Sequence, residues 1–157
     1  MAKKNYNGVQ INPSATIVEK AGADIADVRN RVMKYDENGD VVLATAGTDL
    51  PIGIAIIEAG YNDITGETSG MAKKGDAIDI LIKDMGVVLA GATIKKGQEV
   101  AAGADGLAVA AVAGDYVLGI AREDAEANNY LAIQLAKYIK SGPSGSGEQM
   151  TEEEGEL

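Results

Sequence analysis

Asn38-Gly39-Asp40-Val41-Val42-Leu43-Ala44 runs on past Gly47 to Pro51-Ile52-Gly53-Ile54-Ala55, and the chain later does something similar. Asp105-Gly106-Leu107-Ala108-Val109-Ala110 runs past Gly114-Asp115 to Val117-Leu118-Gly119-Ile120-Ala121. In both stretches a pair of residues that tolerates positive φ opens a short apolar run, and a second short run closes on Gly-Ile-Ala. The turn glycine and the Gly-Ile-Ala glycine stand 14 residues apart in the first stretch and 13 in the second. Hairpin turn, strand, loop, strand, twice over, predicts a core of two similar β units. Two copies do not make a solenoid. Chance likeness within an Ala/Gly-rich chain is the competing explanation.

Working outward, the β signal continues. Residues 77–82 place Ile78, Ile80 and Ile82 on one face of a strand, and residues 130–135 do the same with Leu131, Ile133 and Leu135. Further strands are expected at 32–35, 40–44, 52–58, 86–90, 107–112 and 116–122. They are short, rich in Val and Ile, and punctuated by Gly or Asp about every ten residues, a spacing that suits a sandwich or barrel better than βαβ units. Lys95-Lys96-Gly97-Gln98 reads as a further polar turn. The fold class is therefore all-β: a compact β-sandwich or β-barrel of short antiparallel strands. An extended N-terminal arm is expected over residues 1–27, with Pro13, a strand near 15–19 and a short helix over 23–28 capped by Asp24. Residues 28–140 form the β body. Residues 141–157 read as a flexible Gly/Ser linker with a disordered acidic tail.

Composition narrows the function. Twenty-five Ala and 20 Gly make up more than a quarter of 157 residues, and there is no Phe, Trp, Cys or His. Small side chains bury little area each, so the core should be thin and association is expected to add stability. The formal net charge is −10, and five of the acids (Glu148, Glu152, Glu153, Glu154 and Glu156) fall in the last ten residues. Without a basic stripe to displace counterions, no nucleic acid partner is expected. No apolar run approaches the length of a membrane span, so no membrane partner is expected either. No apolar stretch follows Lys3 and Lys4 to make a signal peptide, and synthesis in the cytosol is the plain reading.

Chemistry is sparse. Lack of His and Cys rules out Ser-His-Asp triads, Cys-His pairs and the usual zinc sites. No catalytic residue, cofactor-binding residue, metal ligand or cofactor is assigned. Asp36-Glu37-Asn38-Gly39-Asp40 has its glycine fourth and Gly47 at the twelfth place, which suits a hairpin turn and not an EF-hand loop. Asp115, Glu123, Asp124 and Glu126 cluster loosely; a solvated loop is the plain reading and a weak cation site the alternative. Gly103-Ala104-Asp105-Gly106 lacks the phosphate-loop pattern. The run from Val88 to Val100 carries a turn like that of lipoyl and biotinyl carrier domains. Lys83, in Ile82-Lys83-Asp84-Met85, does not sit in the setting those carriers modify.

The order of the pieces is also familiar. Tyr35-Asp36 with Asn38-Gly39, residues 44–47, Pro51-Ile52-Gly53-Ile54-Ala55 and Lys74-Gly75-Asp76 come first. Gly91-Ala92, Lys96-Gly97-Gln98-Glu99-Val100, Ala104-Asp105-Gly106, Gly119-Ile120-Ala121 and the strand at 130–135 follow. Over roughly residues 30 to 136 this resembles the tailed-bacteriophage capsid decoration proteins, also called cement or head fibre proteins. The resemblance implies a non-enzymatic virion protein on the outer capsid surface, with the major capsid protein as partner. It also implies a homo-oligomer, a trimer, that stabilises the shell by bridging capsomers. The family offers no catalytic residues to carry over. Another phage structural β domain, a fibre base or adhesin-like module, is the alternative. The arm at 1–27 is expected to order on a neighbouring capsid subunit, and the tail is expected to face solvent.

Overall fold

The computed structural model describes residues 15–65 and 69–142. The first part of the expected arm and nearly all of the expected tail lie outside the described residues. Ten strands follow one another: β1 (Thr16–Lys20), β2 (Val32–Tyr35), β3 (Val41–Leu43), β4 (Gly53–Ala55), β5 (Ala77–Leu81), β6 (Met85–Leu89), β7 (Glu99–Ala102), β8 (Ala108–Ala110), β9 (Tyr116–Ala121) and β10 (Tyr130–Ile139). They form two five-stranded sheets, ordered β1-β5-β4-β2-β3 and β6-β10-β9-β7-β8, with antiparallel pairing between neighbouring strands. The all-β expectation holds.

The second order is the first with β6 to β10 standing for β1 to β5. The likeness extends to single hydrogen bonds. Gly22 N donates to Val41 O at 2.8 Å, and Gly91 N to Ala108 O at 2.7 Å. Ala55 N donates to Arg31 O and Ala121 N to Gln98 O, both at 2.9 Å. Parallel bridges Ala21–Val41 and Ala90–Ala108 join the end of each first strand to the third, so both sheets curl back on themselves. The echo in the sequence is therefore a real duplication, and the Gly-Ile-Ala glycines explain why it was visible. A Cβ on Gly53 would collide with the Leu81 carbonyl, and one on Gly119 with the Gln134 carbonyl. Only glycine lets the neighbouring strand approach that closely.

Each unit buries its own aliphatic cluster, and the first unit also plugs the second. Val32, Ala44 and Ile54 of unit 1 join Val88, Val100, Leu118, Leu131 and Ile133 of unit 2 in one core cluster. Ile78, Ile80, Met33, Val41 and Val28 fill the cluster of unit 1. The junction is also hydrogen-bonded: Leu89 N donates to Asn30 O and Gly106 N to Ala44 O, while Asn30 Nδ2 donates to Val87 O.

Four expectations change. No helix forms over 23–28; Ile25 instead pairs with Ala72 in an isolated bridge, and Asp24 accepts from Lys74 N at 2.8 Å across the chain. A tertiary partner outcompetes the local cap. Residues 16–27, expected in the arm, belong to the folded body: β1 pairs with β5 throughout its length, and Ala21 and Ile25 are core residues. Strand β7 was not expected at Glu99–Ala102, a stretch the sequence presents as the end of a polar turn. Finally, β10 runs beyond residue 135 to Ile139, with its register against β9 shifting between Leu135 and Tyr138.

Candidate docking surfaces

The charged residues singled out from the sequence serve the turns. Asp36 Oδ1 accepts from the backbone of Asn38 at 2.8 Å and Asp40 at 3.0 Å, which closes the hairpin turn. Asp115 accepts from Val112 N, Glu123 from Ala132 N, and Asp124 from Lys96 N and Lys95 Nζ. Glu126 lines one hollow with Glu123, Asp124 and Lys95. The described residues hold no group of three or more His, Cys, Asp or Glu placed to bind a metal ion. Lys83 lies in the short exposed connection between β5 and β6, where one unit hands over to the next.

Asp49 and Asp115 are counterparts, each accepting from a backbone N–H three residues earlier. Burial alone would raise the Asp49 pKa. Hydrogen bonds from the Thr45 backbone, Lys34 and the Thr45 hydroxyl outweigh it and bring the pKa down to about 2. The Lys34–Asp49 pair closes at 2.9 Å.

The arrangement of aromatic side chains is the informative feature. Tyr is the only aromatic type in the chain, and none of the five described tyrosines is buried. Buried aromatic area normally dominates a core; here it is left at the surface, where Tyr is an effective contact residue. Three of the five meet in one patch. Tyr35, Tyr116 and Tyr138 join Leu50, Pro51 and Ile139 around two adjoining hollows of about 590 and 120 Å³. Leu50 is 62% exposed and Ile139 58%. Lys137 crosses the patch to donate to the Ile52 carbonyl, and burial lowers its pKa. Burial and a hydrogen bond to Glu99 raise the Tyr138 pKa, while a hydrogen bond to Glu19 at 2.8 Å raises that of Tyr35. Both phenols stay neutral at physiological pH. The sequence reading did not single this patch out, because its residues come from strands β2, β9 and β10 and the loop before β4.

A second apolar hollow, of about 380 Å³, opens at the junction, lined by residues of both units. Ile54, Ile57, Leu81, Met85, Val87 and Tyr130 line it. Asn30 also reaches it; its Oδ1 is buried and makes no hydrogen bond.

These hollows are lined mainly by aliphatic and tyrosine side chains. The fold is similar to that of "head fiber gp8.5 N base in bacteriophage phi29", at 22% sequence identity and a TM-score of 0.57. The match covers 77% of this chain and 92% of that one. At that identity the likeness speaks for the fold. No protein-family model and no curated protein matches the chain.

Proposed function

We propose that this chain is a structural protein of a bacteriophage head, a non-enzymatic β module that seats on the outer surface of the icosahedral shell and stabilises it by bridging capsomers. The likeness of its fold to a phage head-fibre base carries the reading. Exposed tyrosines and aliphatics, in a protein whose core among the described residues is aliphatic, support it. The major capsid protein is the partner, and neither nucleic acid nor membrane is contacted. A trimer fits such a role, since a multivalent module converts modest contacts into firm attachment.

A second reading has its own support. The structural neighbour is a fibre base, so this chain is alternatively the foot of a projecting structure and not a cement subunit. Copy number separates the two. Heads of the parent phage lacking this protein, incubated with the purified chain and imaged by cryo-EM, should show density at every three-fold or quasi-three-fold position if it is a decoration protein. Density at a few special positions would establish the fibre-base reading. No density on any head refutes both. Native mass spectrometry tests the trimer, which has three times the 16.1 kDa chain mass.

A further inference from the structure

The two units meet head to tail. Unit 1 offers the turn at Asn30 and the carbonyls of Ala44 and Gly47. Unit 2 offers the edge strand β6 at Val87 and Leu89, the turn at Gly106, and Tyr116 N, which donates to Gly47 O at 2.8 Å. A two-fold arrangement would pair each set with its own counterpart, and this one does not. Each unit therefore has two different faces. The face that unit 2 presses on unit 1 has a counterpart on unit 1; there Gly39 N donates within its own hairpin to Asp36 O at 3.2 Å, and β1 is an edge strand that no further described strand covers.

The equivalents follow from the matched registers. Val18 and Lys20 of β1 stand for Val87 and Leu89, Tyr35 for Ala102, Gly39 for Gly106, and Leu50 for Tyr116. Ile82 N donates to Ala15 O and Ala21 N to Asp76 O, so the odd-numbered residues of β1 bond toward β5. Val18 and Lys20 then turn their backbone groups outward along an open sheet edge. Val18 is 63% exposed and Tyr35 47%. On β6 the same edge is covered by Asn30.

A second copy cannot cover this face in the way unit 1 covers unit 2. The face of unit 2 that such a copy would have to use is closed by the end of its own chain. Lys140 Nζ donates at 3.0 Å to the Ala111 carbonyl, the counterpart of the Ala44 carbonyl that takes Gly106 N in the junction. Lys140 also bonds through its backbone to Gly114 and Asp115. One end of the two-unit stack is capped and the other is open.

We infer that the open face of unit 1, built on the β1 edge with Val18, Tyr35 and Leu50, is the surface that seats on the shell protein. The complementary partner is a turn or extended segment of that protein. It presents a backbone carbonyl to the outward Lys20 N–H and apolar side chains to Val18 and Leu50, as the Asn30 turn does for β6. This rests on the head-docking reading.

The test uses the full chain and parent heads that lack it, with binding read by co-sedimentation. Val18→Asp/Leu50→Asp should lower retention at least tenfold, while Ile64→Asp/Val112→Asp, on exposed loops outside the hollows, should bind like the unchanged chain. All four side chains are exposed, so both variants should melt like the parent. If Val18→Asp melts early, Leu50→Asp alone decides the matter. Equal retention of the first variant and the parent overturns this face and leaves head docking intact. A fall in the native mass of the first variant from oligomer to monomer also overturns it, since the face would then join copies of the chain. Failure of the parent chain itself to bind removes the head-docking reading and this inference with it.

Discussion

Unit 1 and unit 2 share a strand order, turn positions and a close-approach glycine, yet they divide the work of the molecule between them. Unit 2 closes its core with Val88 and Ala102 on one side and with its own β10 on the other. Unit 1 places a Glu19–Tyr35 hydrogen bond where unit 2 has those apolar residues. It also carries a longer β4–β5 connection, residues 56–76 against 122–129 in unit 2. Duplication supplies two copies of one interface but needs only one inside the chain, so the spare copy is free to take another role.

The comparison can be broken most forcefully at the paired glycines. Gly53→Ala and Gly119→Ala should each cost about 3 kcal/mol or more, because backbone carbonyls and not flexible side chains occupy the space. Urea unfolding should show similar losses at the two sites. A neutral result at either one would mean the units are not built on the same close approach.

A sharper contrast lies one residue on. Ile54 is 1% exposed and sits in the shared core cluster, whereas its counterpart Ile120 is only half-buried. Ile54→Ala should cost about 3 kcal/mol and Ile120→Ala about 1 kcal/mol. Equal losses would show that unit 1 does not plug unit 2.

Sequence reasoning found the duplication because Gly-Ile-Ala and its turn glycine are held by steric demands that few other residues meet. It also placed most strands within a residue or two. It missed β7, where Glu99 and three small residues carry little alternation, and it took residues 16–27 for an arm because β1 is a short, partly polar edge. The candidate docking surfaces were not legible. Tyr35, Leu50, Tyr116 and Ile139 are far apart in the chain, and only the curled sheets bring them together. The full repeat was hidden for a similar reason: Asn30 holds the left-handed turn (φ 55°) that Gly97 (φ 86°) holds in unit 2, two residue types with one conformational capacity.

That pair yields a smaller prediction. Asn30→Gly gives unit 1 the turn residue of unit 2 and relieves the backbone, but it removes the hydrogen bond to Val87 O. The net loss should be about 1 kcal/mol, and amide exchange should rise at Leu89 before it rises elsewhere. Unchanged protection at Leu89 would deny Asn30 its role at the junction.

An effect of similar size concerns acid. The Asp49 pKa falls on folding to about 2 from an ordinary 3.8, so its contribution to stability is complete above the higher value and is lost as pH drops through the lower one. Solvent screening leaves about 1 kcal/mol at stake. Asp49→Asn should flatten that part of the pH–stability curve between about pH 4 and pH 2; an unaltered curve would show that Lys34 and Thr45 do not hold the carboxylate.

A cryo-EM reconstruction of a parent head with this chain bound, at a resolution that separates the two units, goes straight to the heart of the account. Unit 1 should face the shell, with the β1 edge and Leu50 in contact and unit 2 standing outward. Bound density with unit 2 against the shell, or heads that never acquire the protein, would contradict it.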